Sequence, residues 1–266
     1  MSSSNSDRPV RPVALVTGPT SGLGAGFAKK YASLGYDLVL VARDEVRLHD
    51  LASELSTMFS TESEILVADL ATEPGREAVA DRLAKGVEVL VNNAGFGTSG
   101  EFWTADPALL QSQLDVNVTA VMRLTRAVLP SMIASAHGTI LNVASVAGLL
   151  PGTSSAYSAS KAYVISFTEG LSGGLAGTGV QVQALCPGFI HTEFHERAGL
   201  EMSAMPKAMW LSVDQVVAAS MKDLADNKVI SIPGIQYKVL TTAGRLIPKW
   251  LIRKMTKLVA RGQGRT

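Results

Sequence analysis

Seven short apolar runs recur along the 266-residue chain, and longer amphipathic stretches separate them. "VALVTG" (13–18), "DLVLVAR" (37–43), "EILVADL" (64–70), "VEVLVNNAG" (87–95), "GTILNVAS" (138–145), "VQVQALCPG" (180–188) and "KVISIPG" (228–234) read as strands. They are apolar throughout rather than alternating, which marks strands covered on both faces. Helical patterns fall near 22–34, 45–58, 73–84, 107–134, 156–176 and 213–225. This rhythm predicts an α/β fold, a seven-stranded parallel sheet with helices on both faces. No linker or repeat interrupts it. The expected organisation is one domain over 11–235, after a disordered tail (1–10) and before a basic extension (236–266).

In such a sheet ligands bind at the carboxyl ends of the strands. Six of the seven runs end in small or polar residues, such as "TGPTSGLG", "NNAG", "NVAS" and "CPG". The first is a strand, a tight loop and a helix. Gly18, Gly22 and Gly24 lack Cβ, so the backbone can turn and approach a pyrophosphate. The helix that begins near Gly22 offers that anion its free amides and the positive end of its dipole. The second strand ends in Ala42 and Arg43 where a carboxylate would select a free ribose hydroxyl. A guanidinium there pairs with a 2′-phosphate, so NADP(H) is expected over NAD(H).

The single cysteine, Cys186, forms no intrachain disulfide and reads as a buried thiol, which fits a reducing cytoplasmic location. The N-terminal stretch lacks the apolar core of a signal peptide, and no run reaches the length of a membrane span. The net charge of +1 hides an asymmetry: residues 227–266 carry nine Lys or Arg and no Asp or Glu, against 15 Lys or Arg and 23 Asp or Glu elsewhere. Within 249–261 a helix would gather Leu251, Ile252, Met255, Leu258 and Val259 on one side and Lys249, Arg253, Lys254, Lys257 and Arg261 on the other. That face suits an anionic membrane surface, an acidic carrier protein or acyl-CoA phosphates, or a sister subunit. The acidic remainder argues against nucleic acid.

"SAYSASKAYV" (155–164) places Tyr157 and Lys161 four residues apart, on one face of a helix. A free phenol has a pKa near 10, and an ammonium within ~4–6 Å favours the phenolate. The pair is therefore a candidate proton donor and its tuning cation. His191 and His195 share the spacing of helical metal ligands, but no third ligand accompanies them, so no metal is expected.

These residues resemble the short-chain dehydrogenase/reductases, in the branch of about this length. "TGPTSGLG" fits its T-G-x-x-x-G-x-G loop, with Pro19 in place of the usual small residue, and "NNAG" (92–95) fits its motif after the fourth strand. Asn117, Ser145, Tyr157 and Lys161 fall in the order of its Asn-Ser-Tyr-Lys tetrad, and "PGFIHT" (187–192) fits its P-G-x-x-x-T segment. The likeness spans about residues 11–235. It implies a Rossmann-type doubly wound sheet and an oxidoreductase acting on a carbonyl or secondary alcohol. It implies Tyr157 as general acid, Ser145 on the substrate oxygen, Lys161 on the nicotinamide ribose and lowering the tyrosine's pKa, and Asn117 holding a relay water. Around the cofactor it implies Gly18, Thr20, Ser21, Gly22, Leu23 and Gly24 at the pyrophosphate, Asp69 and Leu70 beside the adenine, and Asn93, Ala94 and Gly95 at the adenosine ribose side. It further implies Pro187, Ile190 and Thr192 at the nicotinamide carboxamide, and Gly188 leaving room for the ring. A homo-oligomer, dimer or tetramer, formed through the helices near 107–134 and 156–176 is implied as well.

Phe96, "AGLLPG" (147–152), Phe189, Phe194, Leu200, Met202, Met205, Met209 and Trp210 would give an adaptable apolar wall, which points to a lipophilic ketone, sterol or 3-oxoacyl substrate. The alternatives are an NAD-linked alcohol dehydrogenase, and a non-catalytic cofactor sensor or membrane-recruited scaffold.

Overall fold

The computed structural model describes residues 10–98, 101–150, 155–192 and 206–246. Within them the chain runs β1 (Val13–Thr17), α1 (Gly22–Ser33), β2 (Asp37–Ala42), α2 (Glu45–Phe59), β3 (Ser63–Val67), α3 (Glu73–Ala84) and β4 (Val89–Asn92). It continues through α4 (Pro107–Leu114), α5 (Val121–Ala134), β5 (Gly138–Val143), α6 (Ser155–Gly174) and β6 (Val180–Leu185). Then follow β7 (Phe189–Ile190), β8 (Trp210–Leu211), α7 (Val213–Ala225), β9 (Ile230–Ser231) and α8 (Ile235–Leu246).

Seven strands form one parallel sheet in the order β3-β2-β1-β4-β5-β6-β9. Strand side chains alternate between two buried layers. Ala14, Val16, Leu38, Leu40, Val89 and Val91 face α1, α2 and α7, while Leu15, Val39, Val41 and Leu90 face α3 and α5. That double coverage is why the runs are apolar throughout. The chain reverses its direction of travel between β1 and β4, and the crevice this opens beyond their carboxyl ends is where such sheets bind ligands.

Local chemistry sets the helix starts. Asp44, Thr72 and Asp106 cap α2, α3 and α4 with side-chain oxygens, and Ser212 with Gln215 forms a capping box on α7. Helix α1 starts after Ser21 without a side-chain cap. A polar ladder lies under the sheet: Asn92 Nδ2 donates to Thr125 Oγ1 (3.1 Å) and Asn142 Oδ1 (2.9 Å), and Asn142 Nδ2 donates to Thr168 Oγ1 (3.0 Å). All four residues are buried, so every one of these bonds replaces a costly desolvated polar group.

Three features depart from the sequence reading. The single helix expected over 107–134 is broken by a π turn at Asp115–Ala120, which carries Asn117. A two-residue parallel ribbon pairs Phe189 with Trp210 and Ile190 with Leu211. Helix α8 is part of the folded body beyond the boundary drawn at 235, since Tyr237 and Thr241 on it are buried. The N-terminal tail, the apolar residues Phe194, Leu200, Met202 and Met205, His195, and the amphipathic face at 249–261 lie outside the described residues.

Candidate active site

The glycine loop leaves β1 and meets the end of β4. Gly18 and Gly22 have φ of +63° and +55°, a backbone conformation that favours glycine. Gly24 allows the loop to close on itself, because a Cβ there would lie 2.1 Å from the Gly18 carbonyl oxygen. Thr17 locks this arrangement: its hydroxyl accepts the amides of Asn93 and Ala94, each at 3.0 Å, and donates to the Val91 carbonyl at 3.3 Å. Asn93 answers with Nδ2 on the carbonyls of Thr17 (2.9 Å) and Gly18 (3.0 Å). Its side-chain nitrogen is thus a strut for the loop. Thr20 and Ser21 lie partly exposed in the loop, and Leu23 turns into the core. A cradle that a Cβ would fill, followed by an uncapped helix start, fits a dinucleotide pyrophosphate.

At the neighbouring strand ends, Arg43 is exposed after β2. Asp69 accepts the Ala71 amide on Oδ1 (3.0 Å), and α3 approaches so closely that a Cβ on Gly75 would lie 2.1 Å from the Asp69 carbonyl oxygen. Leu70 is buried, and its carbonyl accepts Nη1 of the buried Arg76 at 2.9 Å.

The tetrad residues assemble beyond β5 and on α6. Ser145 follows β5, where its Oγ accepts the Ala147 amide at 3.1 Å and its hydroxyl hydrogen-bonds the Tyr157 hydroxyl. The turn after Ser145 packs on α6 through Gly148, where a Cβ would lie 2.6 Å from the Ala162 nitrogen. Lys161 is 4% exposed and donates Nζ to the Val143 carbonyl at 2.9 Å, with Nζ 5.8 Å from the Tyr157 ring centre. Gly95 keeps open the space between Asn117 and Lys161: a Cβ there would lie 2.9 Å from Asn117 Oδ1 and 3.2 Å from Lys161 Nζ.

Electrostatics correct one expectation. Burial pushes the Tyr157 phenol up to about 12, and the Ser145 hydrogen bond lowers it only in part. Burial also brings Lys161 down from 10.5 to about 8, with a smaller opposing effect of Cys186. Desolvation disfavours the charged form of each group, and at the phenol it outweighs the Ser145 hydrogen bond. Tyr157 is therefore a fully protonated donor at neutral pH, not an acidified one.

Asn117 ties two elements together. Its Oδ1 accepts the Phe96 amide (3.1 Å), and its Nδ2 donates to the Phe96 carbonyl (2.9 Å) and to Ser160 Oγ (3.2 Å). Ser160 passes its own proton to the Tyr157 carbonyl at 2.7 Å. The Asn117 side chain is committed to a loop and to the helix of Tyr157. Ser160 lies outside the family tetrad, but its place beside Lys161 and three residues after Tyr157 is a usable sequence signal.

The segment after β6 closes the site. Buried Pro187 accepts the Val146 amide on its carbonyl at 3.0 Å, which joins this segment to the turn after Ser145. Ile190 is buried, and Thr192 packs on the glycine loop: a Cβ at Gly22 would lie 3.1 Å from Thr192 Cγ2. Gly188 makes room for a protein ring, because a Cβ on it would lie 1.9 Å from Cζ of Tyr237. His191 stacks on Trp210 with ring centres 4.4 Å apart. Of the expected apolar wall, Phe96, Phe189, Met209 and Leu149 pack against the core clusters.

Comparison with known proteins agrees with this geometry. The family model described as short chain dehydrogenase matches residues 12–202. The very-long-chain 3-oxoacyl-CoA reductase of Anas platyrhynchos is 35% identical over 190 residues, which cover 68% of this chain and 60% of that protein's length. The structure of a short-chain dehydrogenase from Sphingobium yanoikuyae in complex with NADPH superposes with a TM-score of 0.81 at 36% identity, covering 88% of this chain and 93% of that one. One from Burkholderia phymatum in complex with NAD gives 0.76 at 30% identity, covering 87% and 92%. The chain belongs to the short-chain dehydrogenase family.

Proposed function

We propose that this short-chain dehydrogenase uses NADP(H) to reduce the carbonyl of a lipophilic ketone or 3-oxoacyl group, or to oxidise the corresponding secondary alcohol. The observation that carries the reading is the hydroxyl pair of Ser145 and Tyr157 beside the buried Lys161. A bound nicotinamide supplies or accepts the hydride. The chain's own groups manage the oxygen and its proton.

Tyr157 holds its proton up to about pH 12, so in reduction it gives that proton only to a strong base. The alkoxide that develops from a carbonyl is such a base. Ser145 presents a second hydroxyl to the same oxygen, fixed by its place at the head of the turn at Val146–Gly148. Lys161, positive at neutral pH, favours loss of the tyrosine proton and lies behind the ring.

NADP(H) rests on the exposed Arg43 at the end of β2 and on the NADPH-bound relative. The NAD complex of the Burkholderia phymatum relative makes NAD the rival, and Arg43→Asp decides between them by a steep loss of NADPH preference if the guanidinium meets the 2′-phosphate. The lipophilic substrate rests on the 3-oxoacyl-CoA reductase relative. A homo-oligomer rests on Leu109, Leu114, Met122 and Ile133, exposed along α4 and α5, and on Tyr163, exposed on α6. No helix among the described residues is long and apolar enough to cross a membrane; peripheral contact through the basic segment is tested by liposome flotation with and without residues 247–266.

The deciding experiment follows NADPH oxidation over a panel of ketones, 3-oxoacyl thioesters and steroids. Tyr157→Phe should lose roughly 10²–10⁴-fold in kcat. A phenylalanine variant as fast as the parent ends the proposal.

A further inference from the structure

Tyr237 belongs to α8, a helix that the sequence patterns left outside the domain. Its ring is 1% exposed and fills the notch over Gly188. Its hydroxyl oxygen accepts the Phe189 amide at 2.8 Å, and its proton goes to the Met209 carbonyl. Gln236 beside it donates Nε2 to the Ala208 carbonyl at 3.2 Å. Phe189 opens β7 and Met209 directly precedes β8, so one hydroxyl ties together the starts of both strands of the ribbon.

A two-stranded ribbon is marginal without support, and this one has only two residue pairs. The anchor therefore adds to the core packing of Ile190 and Leu211 in fixing its position. The ribbon carries buried Ile190 and leads directly to Thr192, which lies against Gly22 of the glycine loop. Both residues were matched to the nicotinamide carboxamide by resemblance, far along the chain from the adenosine side at β2 and β3.

We propose that Tyr237 is a positioning residue that fixes the β7–β8 ribbon, and through it Ile190 and Thr192, at the nicotinamide end of the cofactor site. This rests on the NADP(H) reading above. It makes the first turn of the C-terminal helix part of the site's construction while leaving the adenosine half independent of it.

Tyr237→Phe tests this, since the ring stays in the Gly188 notch and only the hydroxyl is lost. The Phe189 amide then loses the Tyr237 oxygen as acceptor, and its hydrogen exchange should speed up roughly fivefold or more. NADPH affinity should fall by roughly three- to tenfold, the loss expected of one or two hydrogen bonds, while 2′,5′-ADP, which carries only the adenosine half, binds as before. Equal weakening of both ligands, weakening of neither, or unchanged exchange at Phe189 overturns the proposal. If the parent binds neither NADPH nor 2′,5′-ADP, the cofactor reading fails by itself, and the exchange rate alone decides whether Tyr237 anchors the ribbon.

Discussion

Replacing Lys161 with methionine should stabilise the protein while stopping turnover. Burial lowers the lysine from 10.5 to about 8, so the folded state holds that ammonium unfavourably. At about 1.4 kcal/mol for each tenfold change in proton affinity, the penalty is of order 3 kcal/mol at neutral pH. Methionine has a similar length and carries no charge, which relieves the penalty. The Val143 carbonyl loses the 2.9 Å bond from Nζ, which returns about 1–2 kcal/mol. A net gain of about 1–2 kcal/mol remains, a rise of roughly 2–6 °C in Tm for a chain of this size. The pH dependence gives an independent check. Between about pH 8 and 10.5 the folded lysine has lost its proton and the unfolded one keeps it, so the parent's stability should climb with pH across that window. Tyr157 works the other way: raised to about 12 when folded, it stabilises fully below pH 10 and loses that contribution as pH rises toward 12. Urea denaturation of parent and Lys161→Met at pH 7 and 9 measures both effects. A variant less stable than the parent at pH 7, or a parent flat in pH from 8 to 10, would refute the reasoning about the buried ammonium.

Two further outcomes follow from the same site. In the reductive direction the logarithm of kcat/KM should fall with unit slope above about pH 8, as Lys161 loses its charge, while Tyr157 stays protonated; a steady-state pH profile with no break near 8 contradicts this. Gly24→Ala would press a Cβ to 2.1 Å from the Gly18 carbonyl oxygen and 2.5 Å from Asn93 Nδ2, and with backbone on one side the loop must open; a cost of about 3 kcal/mol or more and loss of cofactor binding are expected, read by denaturation and by NADPH titration.

Much of the fold was legible because it rests on local, periodic signals. The stretches 13–16 and 38–42 are apolar at every position, and the structure covers them on both faces, with Leu15 in one layer and Val16 in the other. The glycine loop was legible for a similar reason, since positive φ at Gly18 and Gly22 and a tight closure at Gly24 can be met by few residue types. The π turn at Asp115–Ala120 left no such trace: its residues continue a helical pattern, and the turn is fixed by what Asn117 grips across the cleft, Phe96 and Ser160.

By itself, then, the order of strands, helices and motif residues determined the α/β class, the parallel sheet and the placing of Tyr157 and Lys161 on one helical face. Only tertiary structure decided that Asn93 braces the loop, that Gly188 accommodates Tyr237, and that burial holds the phenol protonated. Periodicity records which face of an element is apolar, whereas desolvation and steric fit depend on atoms from distant parts of the chain meeting at one point, and no local pattern encodes that meeting.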